Sequence, residues 1–131
     1  MKKRIKKGFT LVELLVVIAI LAILASVTVV GYSAFTQKAK DSVAQQELTQ
    51  VHNYLFAADI EDESFAFGST GITFADSAVT SEEAATGVLR TALNNTDAKD
   101  LANNLEVSAF AAGVATQLSY TLDGVTVTLD L

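Results

Sequence analysis

Hydrophobic and polar positions divide the chain into three patterns. From Phe9 to Val30 apolar residues are nearly continuous, with twelve in a row from Leu14 to Ala25, and Glu13 is the one charge in the stretch. As a helix rising 1.5 Å per residue, these 22 residues span roughly 33 Å, enough for the hydrocarbon core of a bilayer. Beyond Val30 the apolar positions thin out. Tyr32, Phe35, Ala39, Val43, Leu48, Val51 and Leu55 recur at steps of three, four or five, with QKAKD and AQQE between them. That spacing predicts an amphipathic helix. Gly31 is the strongest turn signal between the two stretches, and the chain has no proline to break a helix. The simplest reading is one helix from about Phe9 to about Ala58.

The third pattern covers the rest. DIEDESFAFGSTGITFADSAVT is rich in Asp, Ser, Gly and Thr and reads as a loop with at most a short strand, anchored by Phe65, Phe67, Ile72 and Phe74. Thr80 stands three residues before Glu83, the spacing of a capping box, and Ala84, Val88, Leu89 and Leu93 follow as a short apolar face. A second, short helix is expected there, with NNTDAKDLANNL as its irregular continuation. In the tail, Leu118, Tyr120 and Leu122 alternate with polar residues, as do Val125, Val127, Leu129 and Leu131, and Asp123-Gly124 separates the runs. Asp-Gly supplies the two positive φ angles that a tight hairpin needs. EVSAFAAGVA offers a third strand, and a small sheet of this kind needs an apolar surface to lie on. The fold class expected is α+β: a long N-terminal helix, half transmembrane and half amphipathic, packed on a small C-terminal domain with a short helix and an antiparallel sheet of about three strands.

Charge sharpens this division. Of nine basic residues, Lys2, Lys3, Arg4, Lys6 and Lys7 fall in the first seven positions, while fourteen of fifteen acids lie at or beyond Asp41. The positive-inside rule keeps the basic head cytoplasmic and puts everything after residue 31 on the far side. Without residues 1 to 8 the chain would hold Lys38, Lys40, Arg90 and Lys99 against fifteen acids, a net charge of about −11. Such a body repels nucleic acid, which argues against a nucleic-acid partner. There is no cysteine, hence no disulfide and no thiolate ligand. His52 has no partner at ligand spacing, and Asp59, Glu61, Asp62 and Glu63 read as a solvated loop after a helix rather than a calcium loop, so no metal or other cofactor is expected. Serine and threonine are plentiful, but no nucleophile elbow or second histidine accompanies them, so no catalytic residues are assigned.

Glu13 is the anomaly. A carboxylate at membrane depth costs up to about 3 kcal/mol, so its presence calls for a positive partner, and none follows in the apolar run. A secretory signal peptide would explain the basic head and the twelve-residue apolar run, with Ala25-Ser26 as a cleavage site. Against it stand the carboxylate and a helical pattern that continues past that site. A plain single-pass anchor tolerates everything except the need for Glu13. If the chain were instead cut between Gly8 and Phe9, the new α-amino group, with a pKa near 8, would be mostly protonated and could serve as the missing cation. A mobile first turn makes that bond awkward within one chain, whereas the terminus of an axially displaced copy could reach Glu13.

The basic leader, Gly8, Phe9, Thr10-Leu11-Val12-Glu13 and the run LLVVIAILAILA together resemble the prepilin signature of type IV pilins and of the pseudopilins of type II secretion and competence systems. The resemblance is close over residues 2 to about 30 and follows by pattern to about 58. It implies a leader, residues 1–8, cut after Gly8 by a membrane-embedded prepilin peptidase that also methylates the new terminus on Phe9. Glu13 then becomes the carboxylate that neutralises a neighbouring subunit's terminus. Residues 9–30 become a transmembrane and later filament-core helix, residues 31–58 its amphipathic half, and residues 59–131 an α+β head. The implied partners are membrane lipid before assembly, further copies of the chain with or without minor pilins, the peptidase, and an assembly ATPase with its platform protein. The implied location is the cytoplasmic membrane, then a surface or envelope filament. The chain departs from many pilins in having Val30-Gly31 where a helix-loosening proline often stands, and in lacking a C-terminal disulfide. Pilus subunit and pseudopilin both remain open at this point, as does, more distantly, a secreted or anchored binding module.

Overall fold

The computed structural model describes residues 8–131; residues 1–7, which carry the basic leader and the argument for its cytoplasmic placement, lie outside the described residues. In chain order the elements are helix α1 (Leu11–Glu61), strands β1 (Phe65–Gly68) and β2 (Gly71–Phe74), helix α2 (Glu82–Asn94), a 3₁₀ turn (Ala102–Asn104), and strands β3 (Leu105–Ala111), β4 (Val114–Leu122) and β5 (Val125–Asp130). The chain divides into two compact units between Gln37 and Lys38.

In the first unit α1 is bare. Its side chains from Leu11 to Phe35 are exposed without exception, although most are apolar. This helix is long and apolar enough to cross a membrane. The serine and threonine hydroxyls in it are satisfied by their own helix: Ser26 Oγ donates to the Ile23 carbonyl at 2.7 Å, and Thr28 Oγ1 lies 3.0 Å from the carbonyls of Leu24 and Ala25. Hydroxyls so paired can enter an apolar medium without an unmet hydrogen bond. The helix passes through Gly31 uninterrupted.

The second unit has its own core. Ala44, Leu48, Val51, Leu55 and Ala58 recur at three- and four-residue steps and form the buried stripe of α1. From α2, Ala85, Leu89, Ala92 and Leu93 join the same core, and the sheet adds Phe65, Ile72, Leu105, Leu118 and Tyr120. The central strand is β4. β3 pairs along one side of it, while β2 and β5 share the other, β2 at Val114–Ala115 and β5 from Gln117 to Leu122. All pairings are antiparallel. The outer edge of β3 is covered by α2, where Thr86 Oγ1 accepts from the Val107 N–H at 2.9 Å and Arg90 Nε donates to the Leu105 carbonyl at 2.7 Å. Those bonds close a backbone edge that would otherwise invite another strand.

A second polar link ties sheet to helix inside this unit. Tyr120, fully buried, donates its hydroxyl proton to Glu47 Oε2 of α1 at 2.6 Å, and Asn104 Nδ2 donates to the same hydroxyl at 3.3 Å. Burial, reinforced by the Glu47 carboxylate, pushes the Tyr120 phenol up to about 12.

The α+β class and its long helix stand as expected, but the sheet has five strands rather than about three. The segment read as a loop holds the β1–β2 hairpin, and EVSAFAAGVA contains a turn at Ala112-Gly113 that splits it between β3 and β4. Gly71 makes β2 possible: at φ +130° it approaches β4 so closely that a Cβ would lie 2.2 Å from the Ala115 carbonyl oxygen. The cap of α2 is Ser81, whose hydroxyl accepts from the Ala84 N–H at 3.2 Å, one residue later than the Thr80–Glu83 spacing suggested. On α1, Tyr32, Phe35 and Val43 are exposed rather than packed. The buried stripe runs through Ala44, Leu48, Val51 and Leu55, and Val43 sits about 100° around the helix from Ala44.

Candidate functional site at the start of the apolar helix

Gly8, Phe9, Thr10 and Glu13 line one cleft at the beginning of α1. Gly8, Phe9 and Thr10 have no regular secondary structure, and the chain turns into helix at Leu11. Gly8 is exposed with open space where a Cβ would stand, and the Phe9 ring is 90% exposed, so the Gly8–Phe9 peptide bond lies on the surface. The Leu14 N–H donates to the Thr10 carbonyl at 3.2 Å, which makes Thr10 the residue that starts the helical ladder.

Thr10 and Glu13 form a reciprocal pair. Thr10 Oγ1 accepts from the Glu13 N–H at 3.2 Å, and Glu13 Oε2 accepts from the Thr10 N–H at 3.0 Å. This is a capping box, and it satisfies two of the N–H groups that every helix start leaves open. It also sets a negative charge where the helix dipole is positive. The carboxylate is therefore fixed at the helix start by local chemistry, pointing back along the chain toward Phe9. An ionised carboxylate has about four acceptor positions, and this box uses one of them. The rest can take a cation.

Thus the structure brings together the three residues singled out from sequence, Gly8, Phe9 and Glu13, and adds Thr10. The signal for Thr10 was a threonine three residues before a glutamate ahead of an apolar run. The other candidates serve packing or turns. His52 meets Phe67 edge-on with ring centroids 5.4 Å apart. Asp59 Oδ2 accepts from the Phe67 N–H at 3.3 Å, and Asp62 accepts from both the hydroxyl and the N–H of Ser64, which hold its carboxyl below the usual range.

A bare apolar helix, opened by a capped carboxylate and running on into the core of a small α+β head, defines a helix-tethered head protein. Known proteins narrow the class. The profile described as the prokaryotic N-terminal methylation motif matches residues 3–29. The chain is 41% identical over 59 residues to the major component of the type IV wide pilus of Thermus thermophilus, a match covering 45% of each chain. Over 118 residues it is 29% identical to the type IV major alpha-pilin of Moraxella bovis, covering 89% of this chain and 69% of that one. The match thus spans less than half the length of the Thermus protein. No solved structure matches the chain. The chain thus carries the N-terminal methylation motif and is similar to type IV pilins.

Proposed function

We propose that this protein is a structural subunit of a type IV pilus-like filament, with no enzymatic role. A prepilin peptidase cuts after Gly8 and methylates Phe9. The single-pass precursor, its N-terminus cytoplasmic, is then drawn from the membrane by an assembly ATPase and platform protein into a helical polymer of its own kind. The observation that carries this reading is the fixed carboxylate of Glu13 beside an exposed Gly8–Phe9 bond, at the head of a helix whose side chains from Leu11 to Phe35 all lack cover.

The physical sequence is direct. Cleavage creates a protonated amine at Phe9, next to the carboxylate that Thr10 already orients. Both charges are costly in an apolar core, and pairing each with its counterpart on an adjacent copy removes that cost. The exposed side chains from Leu11 to Val30 exchange lipid for neighbouring helices, so the polymer needs no new apolar surface. A pilus is favoured over a secretion pseudopilus because both relatives are named as major pilus components.

The capping box permits a clean test. Glu13→Gln keeps the capping-box chemistry, since glutamine can fill that position, but removes the charge, whereas Glu13→Ala removes both. Sheared-filament yield is the measurement, with N-terminal sequencing of the mature chain beside it. Cleavage at Phe9 should survive in both variants, and filament yield should fall to a similar low level in both. Full assembly by Glu13→Gln would show that the residue only starts the helix. An intact leader, or a terminus near Ser26, would overturn the processing scheme.

A further inference from the structure

The stretch of α1 that carries the head is charged at its two ends and nearly neutral between them. Lys38 and Lys40 stand exposed at its beginning and form no ion pair within the described residues. Asp59, Glu61, Asp62 and Glu63 stand at its end, of which Glu61 and Glu63 are exposed and likewise unpaired within the described residues. From Ser42 to Ala58 the one carboxylate is Glu47, already bound to Tyr120, and every exposed position is uncharged: the polar Ser42, Gln45, Gln46, Thr49, Gln50 and Asn53, with Val43, Tyr54, Phe56 and Ala57 among them. The last turn of α1 holds acids and no base, the arrangement that the helix dipole disfavours. Phe56 and Ile60, 55% and 81% exposed, flank these acids. A free head would thus keep uncompensated charge at both ends of an uncharged surface.

We propose that Lys38 and Lys40 of one copy pair with Glu61 and Glu63 of another, and that this pairing fixes a second register, between copies about 35 Å apart along the filament axis, beside the short offset at which Phe9 of one copy meets Glu13 of the next. The inference rests on the polymerisation reading above and adds to it the register between copies. Lys38 and Glu61 are 23 residues apart, about 35 Å along a helix. Parallel copies in register bring lysines beside lysines and acids beside acids. Parallel copies displaced by about 35 Å bring the basic end of one level with the acidic end of the other. Like-charge repulsion excludes the first arrangement and attraction selects the second, while the uncharged face between lets helices approach without stranding a charge.

The test exploits a chain without cysteine. Lys38 and Glu61 are too far apart for a short bismaleimide to join them within one molecule, so any crosslink between cysteines placed there joins two copies. Filaments of full-length Lys38→Cys/Glu61→Cys treated with that reagent should give a ladder of covalent oligomers, and each single-cysteine variant should stay largely monomeric. Charge reversal gives an independent readout: Lys38→Glu/Lys40→Glu should lower filament yield about tenfold, and adding Glu61→Lys/Glu63→Lys should restore it. Visible filaments without a ladder, equal crosslinking by Lys38→Cys alone, or no restoration by the reversed acids would each overturn the pairing while leaving polymerisation standing. If the unaltered chain forms no filaments, polymerisation itself fails, and the pairing falls with it.

Discussion

Two stretches of the same helix, Leu14–Ala25 and Ala44–Ala58, are both regular α-helix and both contribute leucines and valines, yet one is wholly exposed and the other carries a buried stripe. The difference lies in what the rest of the chain supplies. The second stretch meets α2 and a sheet that cover its stripe. The first is apolar all round, and a helix of that kind needs a surrounding apolar medium rather than one packed face. Apolarity therefore records the need for cover, and its periodicity records who provides it. The period of three and four marks a contact within the chain; the unbroken run marks cover that must come from outside it.

The sharpest way to break that comparison is to cut the same side chain down in both stretches. In detergent-solubilised full-length chain, Leu55→Ala should destabilise the head by about 2–5 kcal/mol, since Leu55 is fully buried and its loss leaves a cavity. Leu21→Ala should leave the head's unfolding unchanged, and chemical denaturation followed by tyrosine fluorescence reads both. Equal losses would mean that the apolar run supports the head's core.

The link between Tyr120 and Glu47 tests the comparison at intermediate strength. Tyr120→Phe should cost about 1–3 kcal/mol, because it leaves the Glu47 carboxylate without its donor. The pH dependence follows from the phenol, which is near 10 when unfolded and about 12 when folded. Between those values the folded state holds a proton that the unfolded state has released, so its contribution is fully present below pH 10 and declines as pH rises through 12. Tyr120→Phe should remove that alkaline decline, as read by denaturation midpoints across the range.

The smallest expected effect concerns two of the tight hairpins, those on either side of β4. Ala112-Gly113 and Asp123-Gly124 have the same geometry, with φ of 52° and 82° in one and 49° and 80° in the other. Aspartate tolerates positive φ, whereas alanine does so at a cost, so Ala112→Gly should raise stability by about 0.5–1 kcal/mol in the same denaturation measurement. No gain would mean that the β3–β4 turn is not strained.

These hairpins also explain what was legible. The β4–β5 pair could be read because Asp-Gly between two alternating runs is an explicit turn signal. The β3–β4 turn was hidden because nothing in AFAAG advertises positive φ at Ala112; pairing of the strands on either side imposes it. Likewise FAFGSTGITF carried Gly, Ser and Thr in loop proportions, and it becomes a hairpin because Phe65 and Ile72 find a core and Gly71 can approach β4. At the candidate site, Gly8, Phe9 and Glu13 stand out as residue types at a spacing, and the Thr10 contact follows from the capping-box spacing of Thr10 and Glu13 in the same stretch.

By itself, then, the sequence determined whatever depends on neighbours along the chain: the unbroken helix, the apolar run that needs outside cover, the cap at Thr10 and Glu13, and the Asp-Gly hairpin. Those features rest on bonds and periodicities within a few residues. Only tertiary structure decided which α1 side chains are buried, that five strands form around β4, and that Tyr120 meets Glu47 across 73 residues of chain. Each of these depends on a surface assembled from distant segments, and the free energy of burial belongs to that surface rather than to any one segment.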